Sequence, residues 1–168
     1  MNTAEYIAFY TCMATWLYLV LVTATLLYVR RQVKNQDKER KFQTVLAIFR
    51  ELKTQDFIDN RRYIYDFLPA NIEGIESNQL KDYFLEIEVA LAAFDRVGYL
   101  LREKHIEREP IMENYWASVW RCWKKSKNVI GWIREQRGQK DYFCNFEYLF
   151  YLSEDYRVKN GYEEPKFY

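Results

Sequence analysis

The chain has 168 residues, of which 29% are charged and 18% aromatic, with a formal net charge of +1. So even a balance excludes a polyelectrolyte partner for the chain as a whole, and the length allows one modest domain beside any membrane segment. Three cysteines, Cys12, Cys122 and Cys144, are odd in number, far apart and without CxxC spacing, which fits reduced thiols facing a cytoplasm better than a disulfide framework.

The first predicted element is a membrane span. Residues Tyr6 to Val29 contain no Asp, Glu, Lys or Arg. As a helix rising about 1.5 Å per residue they cover roughly 36 Å, enough to cross a hydrocarbon core of about 30 Å with some tilt. A cleaved signal peptide has a basic start and a small-residue cleavage site. Here the start is Met1-Asn2-Thr3-Ala4-Glu5 and the exit is Leu26-Leu27-Tyr28-Val29-Arg30. A buried core helix is the other reading, and the usual helix length of about 11–12 residues counts against it. Tyr6, Tyr10 and Tyr28 stand where amphipathic rings prefer the headgroup level. Trp16 and Tyr18 lie near the middle, where their polar tips need a partner. Thr11, Thr15 and Thr23 offer hydroxyls for a helix–helix contact, but GxxxG is absent. Tolerance by a lone helix fits this pattern better than a specific dimer.

Arg30, Arg31, Lys34, Lys38, Arg40 and Lys41 follow, opposed by Asp37 and Glu39, while residues 1–5 carry no Lys or Arg. The positive-inside bias places residues 1–5 outside and the chain after the span in the cytoplasm. The six cations read as a basic juxtamembrane stalk that sets topology and meets anionic headgroups, so membrane lipid is an expected partner. No Gly or Pro occurs before Pro69, so the helix can run on through this stalk.

An apolar stripe at helical spacing then begins: Phe42, Val45, Leu46, Phe49, Leu52. Thr54 is the expected N-cap of a second helix reaching Leu68, with Phe57, Ile58, Tyr63, Ile64 and Phe67 on it. Pro69 to Gly74 forms the first loop. Ser77 is the expected cap of a third helix. Its seam, Leu80, Phe84, Ile87, Leu91, Phe94, Gly98 and Leu101, steps by four and three, and Tyr83, Ala90, Ala93, Val97 and Leu100 widen it. Gly98 costs up to about 1 kcal/mol against Ala, which close approach of another helix would explain. Glu86 is expected to snorkel or pair.

Glu109-Pro110 opens a fourth helix whose seam is Met112, Trp116, Val119, Trp123, Ser126, Ile130 and Ile133, ending before Gly138. Asp141 is the expected cap of a last helix with Phe143, Phe146, Leu149, Phe150 and Leu152 inward, and the segment after Ser153 reads as a loose polar tail. The resulting boundaries are 1–5 for the external tail, 6–29 for the span, 30–41 for the stalk, 42–153 for the bundle and 154–168 for the polar tail. The fold class is all-α: a single N-terminal transmembrane helix continuing into a cytoplasmic bundle of about five helices.

Catalytic patterns are missing. The five glycines are isolated, so no phosphate loop exists, and His105 is the lone histidine. No catalytic, cofactor-binding or metal-ligating residues are assigned, and no cofactor is expected. The strongest surface candidate is Arg121, Lys124, Lys125 and Lys127 beside Trp120 and Trp123. Cations interleaved with aromatics hold phosphate, stack bases or meet lipid headgroups; the competing reading is a solvated helix face with both Trp rings in the core. Charge alternates by segment, +4 over 30–41, −4 over 42–109, +5 over 110–140 and −3 over 141–168, which suggests complementarity within the chain before nucleic acid.

From about Leu91 to Leu152 the sequence resembles a bacterial domain family of unknown function, found in small helical proteins with an N-terminal membrane helix. The stretches that carry the resemblance are Phe94-Asp95-Arg96-Val97-Gly98-Tyr99-Leu100, Ile106 with Pro110-Ile111-Met112, Trp116 to Trp123, Ile133-Arg134 and Phe146-Glu147-Tyr148-Leu149. The resemblance implies a helical fold, an anchor and a bacterial inner-membrane location, and it implies no activity. Its polar positions, Asp95, Arg96, Arg121, Arg134 and Glu147, are expected to form a salt-bridge network between helices.

The expected function is a membrane-anchored cytoplasmic interaction or regulatory module without catalysis, with a protein partner or self-association. A membrane-acting effector of a defence or toxin-type system, oligomerising through its membrane helix, is the first alternative. An unrecognised enzyme using Asp95, Arg96 or Glu147 is the second.

Overall fold

A computed structural model describes residues 2–69 and 71–167, without the side chains of Glu5 and Ala8. Met1 of the expected external tail, Ala70 of the first loop and Tyr168 of the polar tail lie outside the described residues. The chain is all-α. Its elements are α1 (Thr3–Glu51), α2 (Gln55–Asp66), α3 (Ser77–Arg102), α4 (Arg108–Arg137) and α5 (Cys144–Lys159). It divides into two compact units, Met1–Arg40 and Lys41–Tyr168.

The first unit is α1 alone up to Arg40. Every described side chain from Asn2 to Arg40 is exposed. Its most apolar 18-residue window has a mean hydropathy of 1.9 and none of it is buried. The hydroxyls of Thr11, Thr15, Thr23 and Thr25 each donate to the carbonyl four residues back, at 2.8 Å. Those donors are engaged within the helix and need no second helix to satisfy them, in keeping with tolerance by a lone helix.

The second unit surrounds α3. Helix α3 buries the whole seam read from its spacing, from Leu80 through Gly98 to Leu101, together with Ala90, Ala93 and Val97. It packs on α2, α4 and α5. The centre is aromatic. Phe94 meets Phe57 edge-on at 5.3 Å between centroids and stacks on Phe146 at 5.2 Å. Trp123 meets Phe146 edge-on at 5.1 Å and stacks on Phe150 at 5.8 Å. Such pairs add about 0.5–1.5 kcal/mol each to the burial of their area. Ile64, Leu91, Ile111, Met112, Ile130 and Leu149 fill the remaining space.

Several expectations shift at the helix ends. Val45, Ile48 and Leu52 form the buried edge of the end of α1, while Phe42 is 55% exposed; it lies one turn ahead of Val45, the first side chain the unit covers. Helix α2 ends at Asp66, since Pro69 disfavours helical backbone just before it. Phe67 turns outward onto Tyr63 at 5.4 Å, and Leu68 takes the buried place. Thr54 precedes α2 in extended conformation but its hydroxyl donates back to Glu51 and caps nothing. Ser77 is the first residue of α3, with Glu76 at the N-cap position. Glu86 is exposed. Pro110 sits in the first turn of α4, which closes on Gly138 at φ 62°. Asp141 does not cap α5: the helix begins at Cys144 after Phe143, itself left-handed at φ 57°.

Helix α5 runs on to Lys159, and two of the described residues beyond it make ring contacts in place of the expected loose tail. Tyr162 stacks on Trp116 at 5.2 Å with 13° between planes, and Phe167 stacks on Trp120 at 5.9 Å. A segment polar in composition carries two rings that Trp116, half-buried, and Trp120, buried, accept on α4.

Candidate functional site

The first turn of an α-helix leaves four backbone N–H groups without partners. In α5 the residue before the helix is Phe143, which has no acceptor side chain. The missing cap comes from another helix. Asp95 of α3 accepts through Oδ1 from the N–H groups of Asn145 and Phe146, both at 2.9 Å, and through Oδ2 from the Asn145 side-chain amide at 3.0 Å. Its negative charge also suits the positive end of the α5 dipole. Gly98, one turn along α3, faces the same place: a Cβ there would lie 2.0 Å from the Asn145 carbonyl oxygen. Asp95 and Gly98 thus form one socket, an acceptor beside a gap, into which the start of α5 fits.

Arg134 holds the approach to that socket. Its Nε donates to the Tyr142 carbonyl at 2.8 Å and its Nη2 pairs with Glu147 at 2.9 Å. Arg96 is adjacent to Asp95 in sequence but about 100° round the helix, and pairs at 3.0 Å with Glu51 at the end of α1. Arg121 donates weakly to its own helix, to the Ala117 carbonyl at 3.4 Å, and lies 5.1 Å over the Tyr65 ring. Among the described residues, Arg134 and Glu147 thus form one inter-helix pair near the Asp95 socket, while Arg96 and Arg121 make their contacts elsewhere, so the five do not join in a single network. Arg134→Ala removes two partly buried charge-assisted bonds and is expected to cost roughly 2 kcal/mol. Glu147→Gln, which keeps an acceptor, should cost about half as much by chemical denaturation in detergent.

The basic run on α4 is divided by its packing. Trp120 and Trp123 are 3% and 8% exposed, so neither offers a face to a base. The Trp120 indole donates to Glu154 at 2.6 Å, and Arg157 grips the same carboxylate at 2.6 Å. The hydrogen bond from Arg157, helped by that from Trp120, holds the Glu154 carboxyl below the usual carboxylate range. Lys124 lies 5.0 Å over the Trp120 ring. Lys125 donates to the Leu68 carbonyl at 3.3 Å and lies 5.5 Å over Phe167. Of the four cations, Lys127 alone is exposed, and the other three are half-buried. In the first unit Arg30, Arg31, Lys34, Lys38 and Arg40 are exposed on α1, while Lys41, the first residue of the second unit, is half-buried.

Sequence reasoning missed the seam between α2 and α4. Arg61 Nη1 reaches the Ser118 hydroxyl at 3.5 Å, and Tyr65 lies near Cys122, whose thiol burial pushes up to about 12. A thiol so protonated and enclosed is a poor nucleophile. Burial likewise raises the Tyr65 phenol, which stays protonated. Asn60 Oδ1, Arg61 Nε and Tyr65 Oη are buried and make no hydrogen bond of good geometry. Tyr65 and Cys122 lie 57 positions apart in the chain, and no motif links them. No group of three His, Cys, Asp or Glu side chains placed to hold a metal occurs among the described residues.

Neither a curated protein nor a solved structure matches the chain significantly. A family model described as a domain of unknown function, DUF4760, matches residues 9–151. That match takes in the apolar part of α1 as well as the socket residues Asp95, Gly98 and Asn145. The chain belongs to the DUF4760 family.

Proposed function

We propose that this protein is a membrane-anchored interaction or regulatory module of the bacterial inner membrane, with α1 crossing the bilayer, residues 1–5 outside and the second unit cytoplasmic. The observation that supports it best is the uncharged stretch Tyr6–Val29, whose described side chains are all exposed. A helix apolar on every side belongs either in a protein core or in lipid, and the fold offers it no core. Arg30 to Lys41 follow directly, and their asymmetry with residues 1–5 supports this orientation. Continuity of α1 from Thr3 to Glu51 provides a route by which a partner bound to the second unit could bias the membrane helix.

Two measurements test this. Reporter fusions after Tyr168 should be active in the cytoplasm only; a periplasmic signal sinks the orientation. Leu21→Arg places a charge at mid-span at about 2.5–3.5 kcal/mol, and should move most of the protein out of the membrane fraction. Retention at the wild-type level would mean that α1 is not the anchor. The effector reading has one supporting feature, Trp16 and Tyr18 exposed at mid-span, at 66% and 67%. It requires overexpression to depolarise cells and a polar change at Trp16, such as Trp16→Gln, to abolish that effect.

A further inference from the structure

Five arginines of the second unit are half-buried: Arg61, Arg108, Arg121, Arg134 and Arg157. Three hold a carboxylate: Arg108 pairs with Asp155 at 2.7 Å, Arg134 with Glu147 at 2.9 Å and Arg157 with Glu154 at 2.6 Å. Arg61 and Arg121 hold none among the described residues. These two exceptions are neighbours across the α2–α4 seam. Arg61 reaches Ser118, one turn before Arg121 on α4, and Arg121 covers Tyr65, one turn after Arg61 on α2. Partly burying one guanidinium without an anion is costly, and setting two together adds repulsion. The Arg61 Nε–H, buried at this seam, is a donor without an acceptor, although buried donors are almost always satisfied.

We propose that the α2–α4 seam is an oxyanion-binding site that takes a phosphate group between the Arg61 and Arg121 guanidiniums, with the Ser118 hydroxyl as a further donor. Guanidinium pairs suit phosphate because their donors match its oxygens two at a time. Lys125, four residues beyond Arg121 and bonded to the Leu68 carbonyl, adds charge at one end of the seam. The group arrives either as a free phosphate or as the headgroup of an anionic phospholipid, and the same contacts hold either. The site lies within the second unit and stands independently of the orientation of α1.

The test uses the full chain in non-ionic detergent, titrated with inorganic phosphate against chloride at constant ionic strength. At phosphate tenfold above its dissociation constant, the expected rise in Tm is roughly 3–5 °C. Arg61→Gln and Arg121→Gln should each abolish the rise while leaving Tm in chloride equal to or above that of the wild type, since each removes an unpaired charge. Arg62→Gln, at an exposed neighbour, should keep it. The two variants lie on different helices, so misfolding of one leaves the other to decide. A second arm compares nanodiscs of phosphatidylcholine with nanodiscs containing phosphatidate. A rise with inorganic phosphate identifies a free phosphate group as sufficient. A rise in phosphatidate nanodiscs alone, lost in both variants, identifies the headgroup. No rise in either arm, or a rise that both variants retain, overturns the proposal.

Discussion

Gly98→Ala is expected to destabilise the second unit by about 3 kcal/mol, although Ala is the better helix former by about 1 kcal/mol. The new Cβ would stand 2.0 Å from the Asn145 carbonyl oxygen and 2.6 Å from its carbon, where real contacts stay beyond 3.0 Å. The obstacle is backbone, so no side chain can swing aside. The first turn of α5 must retreat by about 1 Å, which stretches its 2.9 Å bonds to Asp95 beyond hydrogen-bonding range. Overpacking at about 1–3 kcal/mol and a lost cap at about 1–2 kcal/mol together exceed the gain in propensity. At about 2–4 °C per kcal/mol, Tm should fall by roughly 6–12 °C. Gly131→Ala is the matched control, because it lies inside α4 with nothing within 4 Å of the added carbon. It should leave Tm unchanged or raise it. If both glycines respond alike, the close approach at Asn145 is not what Gly98 is for.

Asp95→Ala is expected to cost about 2–3 kcal/mol, since it removes a charged acceptor from two backbone N–H groups and one side-chain amide in a partly buried place. Asp95→Asn should cost about 1 kcal/mol: its oxygen can still serve the backbone, and the Asn145 amide can turn to meet its nitrogen. The decisive measurement is the double variant. Gly98→Ala already displaces α5 from Asp95, so adding Asp95→Ala should cost about 1–2 kcal/mol less than the sum of the two single changes. Strict additivity by urea denaturation in detergent would show that the acceptor and the gap act separately and are not one socket.

The legible part of the fold is the part written in short-range pattern. The step of four and three from Leu80 to Leu101 is the buried edge of α3. Trp123, Ser126, Ile130 and Ile133 on α4 are buried as their spacing predicts. The ends were less legible. Phe42 and Phe67 carry the same hydrophobic signal as Ile48 and Leu68, and only the placement of neighbouring helices separates the covered rings from the uncovered. Asp141 stood in the right place to cap α5, but the chain passes Phe143 in a left-handed conformation and takes its cap from α3. A clue to the socket was present in one turn of sequence, a charge at Asp95 and a missing side chain at Gly98. What both faced was Asn145, 50 residues beyond Asp95.

By itself the sequence determined the helical class, the length and uniform apolarity of the first half of α1, the cation cluster that follows, and the inward edge of α3, because each depends on composition or on a 3.6-residue period within one segment. The tertiary structure alone decided that Asp95 caps α5, that Gly98 admits Asn145, that Arg121, Lys124 and Lys125 lie on aromatic rings and carbonyls, and that Arg61 and Arg121 share the α2–α4 seam without a carboxylate partner among the described residues. Those outcomes depend on which side chains from distant segments share one corner of the bundle. Helix packing sets that through shape and backbone approach, which no local period encodes.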